Sequence, residues 1–219
     1  SGNTRTIDKV IRRQIKLSEG DAYNKYSIDL SKNTIKSLNF FSTVDIDEVR
    51  VLDSDRIDVN VNVEEKNTGE VSAGAGYSSA NKTSVTFGLK EKNFLGKGQK
   101  ANFQASFADT QSTYDISFEE PYYNDKNLSL RGDLYSRFSD PTSVKYETED
   151  LGVGFSIRFP LAPSISYGFS YELFTTKVKA DVDASSYEKL LAGTDTVSSM
   201  TNSITNDRRN SPYKPSSGS

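Results

Sequence analysis

The spacing of apolar residues divides the chain into a first part of mixed period and a second part with a period of two. Residues 6–17 carry apolar side chains at helical spacing, with Thr6 placed to cap the helix and Gly20 just beyond its end. Asn24 is placed to cap a second helix with one narrow buried stripe. The members of this stripe are Ile28, Ser31, Ile35 and Leu38. The pattern therefore predicts two short amphipathic helices that pack side by side.

After the second helix the period changes to two, which is the period of a strand whose alternate side chains share a face. One alternating run covers residues 44–51 and the next covers residues 57–63, so a hairpin is predicted with its turn at residues 53–55. This α-α-β-β unit needs a further strand to complete its sheet, and residues 1–4 look like the end of one. We expect the amino-terminal boundary of the sequence to have removed the rest of that strand.

From residue 70 onward the helical period disappears and seven segments alternate between apolar and polar side chains. In the first segment, residues 70–79, small and apolar side chains share one face while two glycines lie on the other. The later segments lie at residues 84–90, 101–107, 114–119, 128–138, 151–159 and 165–173. Residues 181–191 are expected to form a short helix in a loop, and residues 203–208 at most a short, polar eighth strand.

Alternation fits a soluble sandwich as well as a membrane barrel, because strands of either kind bury one face. Segments of roughly ten residues match a tilted membrane strand. Tight connections also alternate with longer ones, as in outer-membrane barrels. The tight ones lie at residues 95–98, 121–127 and 160–163, and the longer ones at residues 139–145 and 177–198. These features favour a membrane barrel, and a soluble β-sandwich adhesin or lectin is the alternative.

Aromatic residues gather near the ends of the predicted strands, where a membrane barrel carries its interfacial girdles. They are Tyr77, Phe94, Tyr122, Tyr123, Phe138 and Tyr146. No apolar run approaches the ~20 residues of a membrane helix. A formal charge of -3 without a basic block gives no reason to expect nucleic acid as a partner.

Composition excludes most kinds of catalysis by these residues. The chain has no cysteine and no histidine, which removes thiol chemistry, disulfides, Cys/His zinc sites and imidazole acid-base catalysis. The carboxylate pairs Glu64-Glu65 and Glu119-Glu120 are adjacent in predicted strands. Neighbouring strand residues point to opposite faces, so neither pair converges on one substrate. We predict a protein that is not an enzyme and that uses no cofactor and no metal.

Several short motifs, in order along the chain, resemble the BamA family, the central subunits of the β-barrel assembly machinery. In the first part they are Gly2-Asn3-Thr4-Arg5-Thr6, Arg12-Arg13, Glu19-Gly20-Asp21 and Leu38-Asn39-Phe40-Phe41. In the second part they are Val63-Glu64-Glu65, Gly74-Ala75-Gly76-Tyr77, Asn93-Phe94-Leu95-Gly96-Lys97-Gly98, Glu120-Pro121-Tyr122-Tyr123 and the turn Pro215-Ser216-Ser217-Gly218. The resemblance covers the whole chain.

The resemblance implies an α+β POTRA domain with the order β-α-α-β-β and a truncated first strand over residues 1–66. Residues 67–219 would then form an all-β antiparallel transmembrane segment, about eight strands of a larger β-barrel. The resemblance also implies a Gram-negative outer-membrane protein whose first domain lies in the periplasm. Its implied partners are unfolded outer-membrane proteins, accessory lipoproteins of the assembly complex and outer-membrane lipids.

The function implied is the assembly and insertion of client β-barrel proteins into the outer membrane. Related translocators of two-component secretion or autotransporter assembly are the alternative within the same superfamily. A porin-like channel is disfavoured, because porins do not carry an α-α-β-β domain such as the one predicted here.

The resemblance assigns client pairing to the first barrel strand, because an edge strand offers unpaired N–H and C=O groups to another strand. The expected pairing residues are Glu70, Val71, Ser72, Ala73, Gly74, Ala75, Gly76 and Tyr77. Without the resemblance, the same segment reads as an ordinary strand with glycines for curvature. A second edge, for an extended periplasmic partner, is expected in the first domain. Its residues are Val44, Ile46, Val49 and Val51.

Two charged sets have a functional and a structural interpretation. The first set is expected to form a basic face on the first helix, which either docks an accessory lipoprotein or only solvates the helix. It consists of Arg5, Arg12, Arg13 and Lys16. The second set is expected to face the barrel lumen, where it either lines a solute channel or pairs internally. It consists of Lys90, Asp115, Glu119, Arg131, Asp133, Arg137 and Arg158.

Overall fold

The structure is a computed structural model that describes residues 1–52, 56–79, 82–209 and 217–218. The chain folds into two compact units: Ser1–Gly69 with Glu91–Gln99, and Glu70–Lys90 with Lys100–Ser219. Segment 91–99 therefore packs with the first domain, although it lies within the predicted barrel sequence. The division of the chain into domains at residue 66 stays a prediction. Among the described residues, no helix is long and apolar enough to cross a membrane.

The first unit contains two helices, α1 at Asp8–Arg12 and α2 at Lys25–Ser37. Helix α2 begins as predicted, because the side chain of Asn24 accepts a hydrogen bond from the N–H of Ser27. Helix α1 is shorter than the predicted helix over residues 6–17. The predicted cap is also wrong: the capping position is occupied by Ile7, which makes no side-chain hydrogen bond to the helix. The hydroxyl of Thr6 is instead bonded to the side chain of Asn93.

The predicted hairpin of the first unit is present as β1 at Phe41–Arg50 and β2 at Ile57–Glu65, which pair antiparallel. Its predicted turn at residues 53–55 lies outside the described residues. Alternate residues of the two strands face the helices and form one core with them. The core residues are Val10, Ile11, Ile35, Phe40, Phe41, Val44 and Val63.

The first residues of the chain lie along the second edge of β2. The ammonium group of Ser1 donates to the carbonyl of Val61 at 2.6 Å, and the N–H of Val63 donates to the carbonyl of Ser1 at 3.0 Å. Two bonds that flank one residue in this way are the pattern of a parallel strand pair. Residues 1–4 are not a regular strand in the structure, but Ser1 occupies the position that the predicted extra strand would take.

Eight further strands form one sheet in which neighbours in sequence are neighbours in space, in the order β10-β9-β8-β7-β6-β5-β4-β3. They are β3 at Gly69–Ser78, β4 at Lys82–Phe94, β5 at Gln99–Ala108, β6 at Gln111–Glu120, β7 at Ser129–Ser139, β8 at Tyr146–Ala162, β9 at Ile165–Ala180 and β10 at Gly193–Asn206. The pairs from β5 to β10 are antiparallel. All seven alternating segments of the sequence are therefore strands of this sheet.

The last hairpin is longer than the sequence analysis predicted. Strand β10 has fourteen residues and pairs with β9 from Gly193 opposite Val178 to Asn206 opposite Ile165. The prediction of a short strand at residues 203–208 is therefore wrong. Hydropathy missed β10 because its side chains are mostly Thr, Ser and Asn, whereas main-chain pairing does not require apolar side chains. The predicted loops at residues 160–163 and 177–198 shrink to residues 163–164 and 181–192.

The loop between β9 and β10 contains the short helix that the sequence predicted, α3 at Ser186–Leu191. Ser185 and Glu188 form a capping box at its start, in which each side chain bonds the backbone N–H of the other residue. Most of the turn predicted near the end of the chain, at residues 215–218, lies outside the described residues.

The fully buried side chain of Ile35 provides a test of the first unit. Ile35→Ala should lower the free energy of unfolding of this unit by roughly 2–5 kcal/mol, because it leaves a cavity between α2 and the hairpin. Leu30→Ala on the same helix removes a side chain that is 40 % exposed, and should change stability by no more than about 0.5 kcal/mol. Hydrogen exchange of the α2 peptides in the detergent-solubilised protein measures both. Equal effects of the two substitutions would contradict this packing.

Candidate functional site

Strand β3 is one edge of the eight-stranded sheet and contains all the residues predicted to pair with a client strand. In the described ranges it has a strand partner on one side only, β4. Every residue from Glu70 to Ser78 is exposed, and Val71 and Tyr77 are 73 % and 79 % exposed. Among the described strands, none pairs with the second side of β3, and an edge of this kind can accept another strand.

Small side chains make β3 a weakly packed edge. A Cβ atom added at Gly74 would meet no atom within 4 Å, so packing does not require glycine at this position. On the neighbouring strand, a Cβ at Gly88 would come within 2.6 Å of the Ser72 hydroxyl. Small residues in a strand interior contribute little packing, so β3 is held mainly by its main-chain pairing with β4.

The second predicted edge, on β1, is only partly available. Strand β1 pairs with β2 on one side, and among the described strands it has no partner on the other. Val44 is 2 % exposed and belongs to the core, and Ile46 is half-buried. Val49 and Val51 are 49 % and 36 % exposed. An added strand could use the main chain of β1, but only its end presents apolar side chains.

The start of α2 is tied to β1 by a small polar cluster. Glu48 accepts hydrogen bonds from the hydroxyl of Tyr23 and the ammonium group of Lys25, both at 2.6 Å. The hydrogen bonds from Lys25 and then Tyr23 lower the pKa of Glu48 below its usual value. This cluster holds the helix against the strand at the outer end of the hairpin.

The predicted basic face does not lie on one helix, because α1 ends at Arg12. Arg5 precedes the helix, and its guanidinium donates to the carbonyl of Lys66 at 3.2 Å. Arg13 closes the helix, with its Nη2 atom beside Gly98. Arg12 and Lys16 are exposed. Two of the four cations therefore contact other parts of the first unit, which corrects the expectation of a continuous basic helix face.

The charged residues predicted in the lumen lie in the strands of the second unit, with Lys90 in β4 and Arg158 in β8. Three ion pairs join other members of this set to one another or to a neighbour. They are Arg131 with Asp133 at 2.6 Å, Lys100 with Glu119 at 3.1 Å, and Arg137 with Asp115 at 3.7 Å. This arrangement favours internal pairing over the lining of a solute channel.

Tyr135 adds further side-chain contacts between the strands of the second unit. The hydroxyl of Tyr135 donates to Glu172 at 2.7 Å, and the guanidinium of Arg137 lies 4.3 Å from the ring centroid. A Cβ atom at Gly152 would come within 2.3 Å of the Tyr135 ring, so only glycine leaves room for this ring. Side chains from β7, β8 and β9 are thereby interlocked on one face of the sheet.

The sequence analysis missed a buried polar network in the first unit, centred on Glu65. This carboxylate is 8 % exposed and accepts hydrogen bonds from the main-chain N–H groups of Thr4 at 3.0 Å, Arg5 at 2.9 Å and Thr6 at 2.6 Å. The Thr4 hydroxyl donates to the same carboxylate at 2.8 Å. Such a carboxylate replaces its lost hydration with fixed donors, so it remains ionised inside the protein.

Asn93 extends this network to segment 91–99. Its Nδ2 donates to the Thr6 hydroxyl at 2.8 Å, and its Oδ1 accepts from the N–H of Gly98 at 2.7 Å. The N–H of Ile7 donates to the carbonyl of Gly96 at 3.0 Å. The turn between β4 and β5 is therefore bonded to the residues that open the first domain, all within the first unit.

Close approach explains why glycine is needed in this turn. Gly96 has a φ of +72°, and a Cβ atom there would lie 1.9 Å from the carbonyl oxygen of Arg5. Each part was visible in the sequence, since Thr6, Glu65 and the Asn93 motif were all singled out. Their contact was not, because they are about 60 to 90 positions apart in the chain.

These two units define a class of protein: an antiparallel sheet of strands of ten to seventeen residues, joined to a small α+β domain, as in outer-membrane barrels with a periplasmic domain. The family model of the Omp85 superfamily domain matches residues 93–219. The POTRA model, described as the surface antigen variable number repeat, matches residues 1–66. The chain belongs to the Omp85 superfamily.

The curated relatives include outer membrane protein assembly factors. The outer membrane protein assembly factor BamA of Nitratidesulfovibrio vulgaris is 30 % identical over 99 % of this chain and 27 % of its own length. BamA of Neisseria meningitidis is 29 % identical over 80 % of this chain and 23 % of its own length. The sorting and assembly machinery component 50 homolog A of Xenopus laevis is 29 % identical over 63 % of this chain and 30 % of its length. The chain spans about a quarter of the length of the BamA relatives.

Two solved structures share the fold. The crystal structure of BamA from Haemophilus ducreyi lacking POTRA domains 1–3 has a TM-score of 0.74 and 23 % identity, over 98 % of this chain and 44 % of that one. CdiB from Acinetobacter baumannii has a TM-score of 0.55 and 13 % identity, over 91 % of this chain and 40 % of that one. The comparisons confirm the predicted fold class and the resemblance to BamA, and they place the barrel strands in the outer membrane and the POTRA domain in the periplasm.

The Glu65 network predicts a specific pH dependence. Burial opposes ionisation of Glu65, but hydrogen bonds from Thr6, Arg5 and Thr4 outweigh it and lower its pKa from 4.5 to about 2. Because the folded pKa is the lower one, the stabilisation is complete above about pH 4.5 and is lost as the pH falls towards 2. Glu65→Gln should therefore destabilise the first unit by roughly 1–3 kcal/mol at neutral pH, with a smaller difference at low pH.

Glu64→Gln is the matched control, because Glu64 is exposed and accepts its side-chain hydrogen bond from Thr43. Hydrogen exchange of the α1 and β2 peptides of both variants, measured between neutral pH and pH 3, tests the prediction. A constant difference between the two variants across this range would show that ionised Glu65 does not stabilise the unit.

Proposed function

We propose that this chain is part of an assembly factor that templates client β-barrel proteins and inserts them into the outer membrane. The class of activity is supported by relatives whose names describe outer-membrane protein assembly. The observation that carries the mechanism is the exposed edge of β3, which is one of the two terminal strands of the described sheet and, unlike β10, consists largely of small residues.

Strand addition is the mechanism that this edge supports. An extended client segment would pair with the main chain of β3 along its second side, and such pairing depends little on the client's sequence. The pairing is favoured in a membrane, where an unpaired main-chain group costs several kcal/mol. The small residues at positions 73–76 leave the client's side chains unobstructed. No covalent step is involved, so we propose a function that is not enzymatic.

Weak packing of β3 fits a role in exchange as well as capture. A template strand that packed large side chains against the client would bind it tightly and retain it after folding. With Ala and Gly at half of the positions of β3, affinity would come mainly from main-chain bonds that a later client strand can replace. This is the feature that separates β3 from the interior strands, which carry aromatic and branched residues on the same face.

In the first domain, we propose that the outer end of β1 holds an extended segment of the client. The free main chain of β1 and the exposed Val49 support this role. Accessory lipoproteins of the assembly complex are proposed to dock near Arg12 and Lys16, which are exposed beside α1.

A translocator for two-component secretion or autotransporter assembly is the second candidate. The shared fold with CdiB supports it. Relatives named as assembly factors match over nearly the whole chain, and we therefore place assembly first.

Strand templating can be tested with engineered disulfides, because this chain has no cysteine. Single cysteines at Val71, Ala73 and Ala75 of the full-length protein should trap matching cysteines in a client's terminal strand, each in one register. Ile116→Cys is the control, since it lies in β6, which is paired on both sides by β5 and β7. Gel mobility shifts during assembly measure the trapping.

Two results would change the proposal. If a secreted passenger is trapped in place of barrel clients, the translocator is correct. If no position on β3 traps any client while the reconstituted protein conducts ions steadily, the channel function replaces templating.

A further inference from the structure

The turn between β4 and β5 displays two apolar side chains on its outer side. Phe94 is 39 % exposed and Leu95 is 70 % exposed. Leu95 has a φ of +53° and is followed by Gly96 at +72°, and the N–H of Lys97 donates to the carbonyl of Phe94 at 3.1 Å. Two successive positive φ angles are typical of a type I′ turn, which favours Asn-Gly. Neither turn geometry nor core packing explains a leucine at this position.

The inner side of the same turn is fixed. Asn93, Gly96 and Gly98 are buried, and their hydrogen bonds reach Thr6 and Ile7. The apolar side chains are therefore exposed on a turn that is hydrogen-bonded to the first residues of the domain. An exposed branched side chain in a strained backbone conformation indicates a role outside the protein's own packing.

The sequence around the exposed pair is rich in lysine. Segment 90–100 contains Lys90, Lys92, Lys97 and Lys100 against one acid, Glu91. Lys97 is exposed beside Leu95. The carboxylate of Glu91 accepts hydrogen bonds from the Thr68 hydroxyl at 2.5 Å and from the N–H of Asn93 at 2.7 Å. Glu91 is thus hydrogen-bonded within the turn, Lys100 is paired with Glu119, and Lys97 is the exposed cation next to Gly96 in the turn itself.

A cleft of about 340 Å³ in the first unit joins these features. Its lining includes Leu95, Phe40, the cations Arg5 and Lys66, and the carboxylates Glu65 and Glu91. Both carboxylates accept hydrogen bonds from the protein, Glu65 from Thr6 and Glu91 from Thr68. The Arg5 side chain is 64 % exposed despite its contact with Glu65. An apolar side chain beside accessible cations suits an amphipathic ligand with an anionic head, which is the chemistry of an acidic phospholipid.

The position of the turn in the chain also indicates a phospholipid as the partner. It connects two strands of a sheet that lies in the outer membrane, so it sits at the membrane boundary. Its contacts with residues 6–7 of the periplasmic domain identify the periplasmic side. We propose that Phe94 and Leu95 insert among the acyl chains at this boundary, while Lys97 and Arg5 bind the anionic headgroup, and that the lipid thereby anchors the first unit to the membrane.

The insertion is tested in the full-length protein reconstituted into liposomes. A cysteine at Leu95 carries an environment-sensitive fluorophore, and a cysteine at Leu52 is the control, because Leu52 is 92 % exposed on the hairpin of the same unit. Lipids brominated near the headgroup should quench the Leu95 label several-fold more than the Leu52 label, and aqueous iodide should do the reverse. Equal quenching of both labels by iodide would overturn the proposal.

Lipid charge is tested by the composition of the vesicles. Enrichment of phosphatidylglycerol over phosphatidylcholine around the Leu95 label should fall about fivefold in Lys97→Gln, the loss expected for one lysine near a charged membrane surface. Lys36→Gln, an exposed lysine of α2, is the control and should leave the enrichment unchanged. If the label is inserted but lipid charge has no effect, the headgroup part of the proposal is wrong.

The strain of Leu95 gives an independent test. Leu95→Asn places a residue that tolerates positive φ in the turn, so thermal stability in detergent should be unchanged or higher. In the same variant, a fluorophore is attached at Phe94→Cys. Its quenching by brominated lipid should fall several-fold, because the apolar side chain of Leu95 is gone. A loss of stability in detergent would mean that Leu95 packs against protein, and it would overturn the proposal.

Discussion

The rest of this structure depends on one constraint: the interior of a membrane offers no hydrogen-bonding partners to the main chain. Inside a membrane each N–H and C=O group must be paired by the protein itself. The strands from β4 to β9 meet this requirement, because each has a neighbour on both sides. Among the described strands, β3 and β10 meet it on one side only. The same requirement that favours a continuous sheet is the physical basis for the proposed addition of a client strand at β3.

In the first unit the main constraint is a buried charge, the carboxylate of Glu65. Glu65 is taken out of water and stabilised by donors from three successive residues at the start of the chain. Because Asn93 bonds to one of those residues, the β4–β5 turn shares the network. A turn that would otherwise be a simple connection between membrane strands becomes part of the periplasmic domain, and it presents Phe94 and Leu95 on a rigid base.

The edge strand β3 and the β4–β5 turn lie close together in the sequence. Strand β3 begins directly after Thr68, whose hydroxyl bonds Glu91, and β4 returns to the network at Asn93. The base of the edge hairpin is thus held by groups of the first unit, while the rest of β3 relies on main-chain pairing with β4. A base held by hydrogen bonds and a lightly packed edge fit the proposed template strand, which would have to keep its place while its partner changes.

The sequence by itself determined the architecture. Period-two alternation located all seven apolar strands, helical spacing located both helices of the first domain, and Asn24 marked the start of α2, because these features depend on local geometry and on burial of one face. Only the tertiary structure decided the length of β10, whose polar side chains carry no hydropathy signal, and the role of Thr6, which caps no helix and instead links Glu65 to Asn93. Such contacts depend on which residues, far apart in the sequence, the fold brings together, and a local pattern of residues carries no information about that pairing.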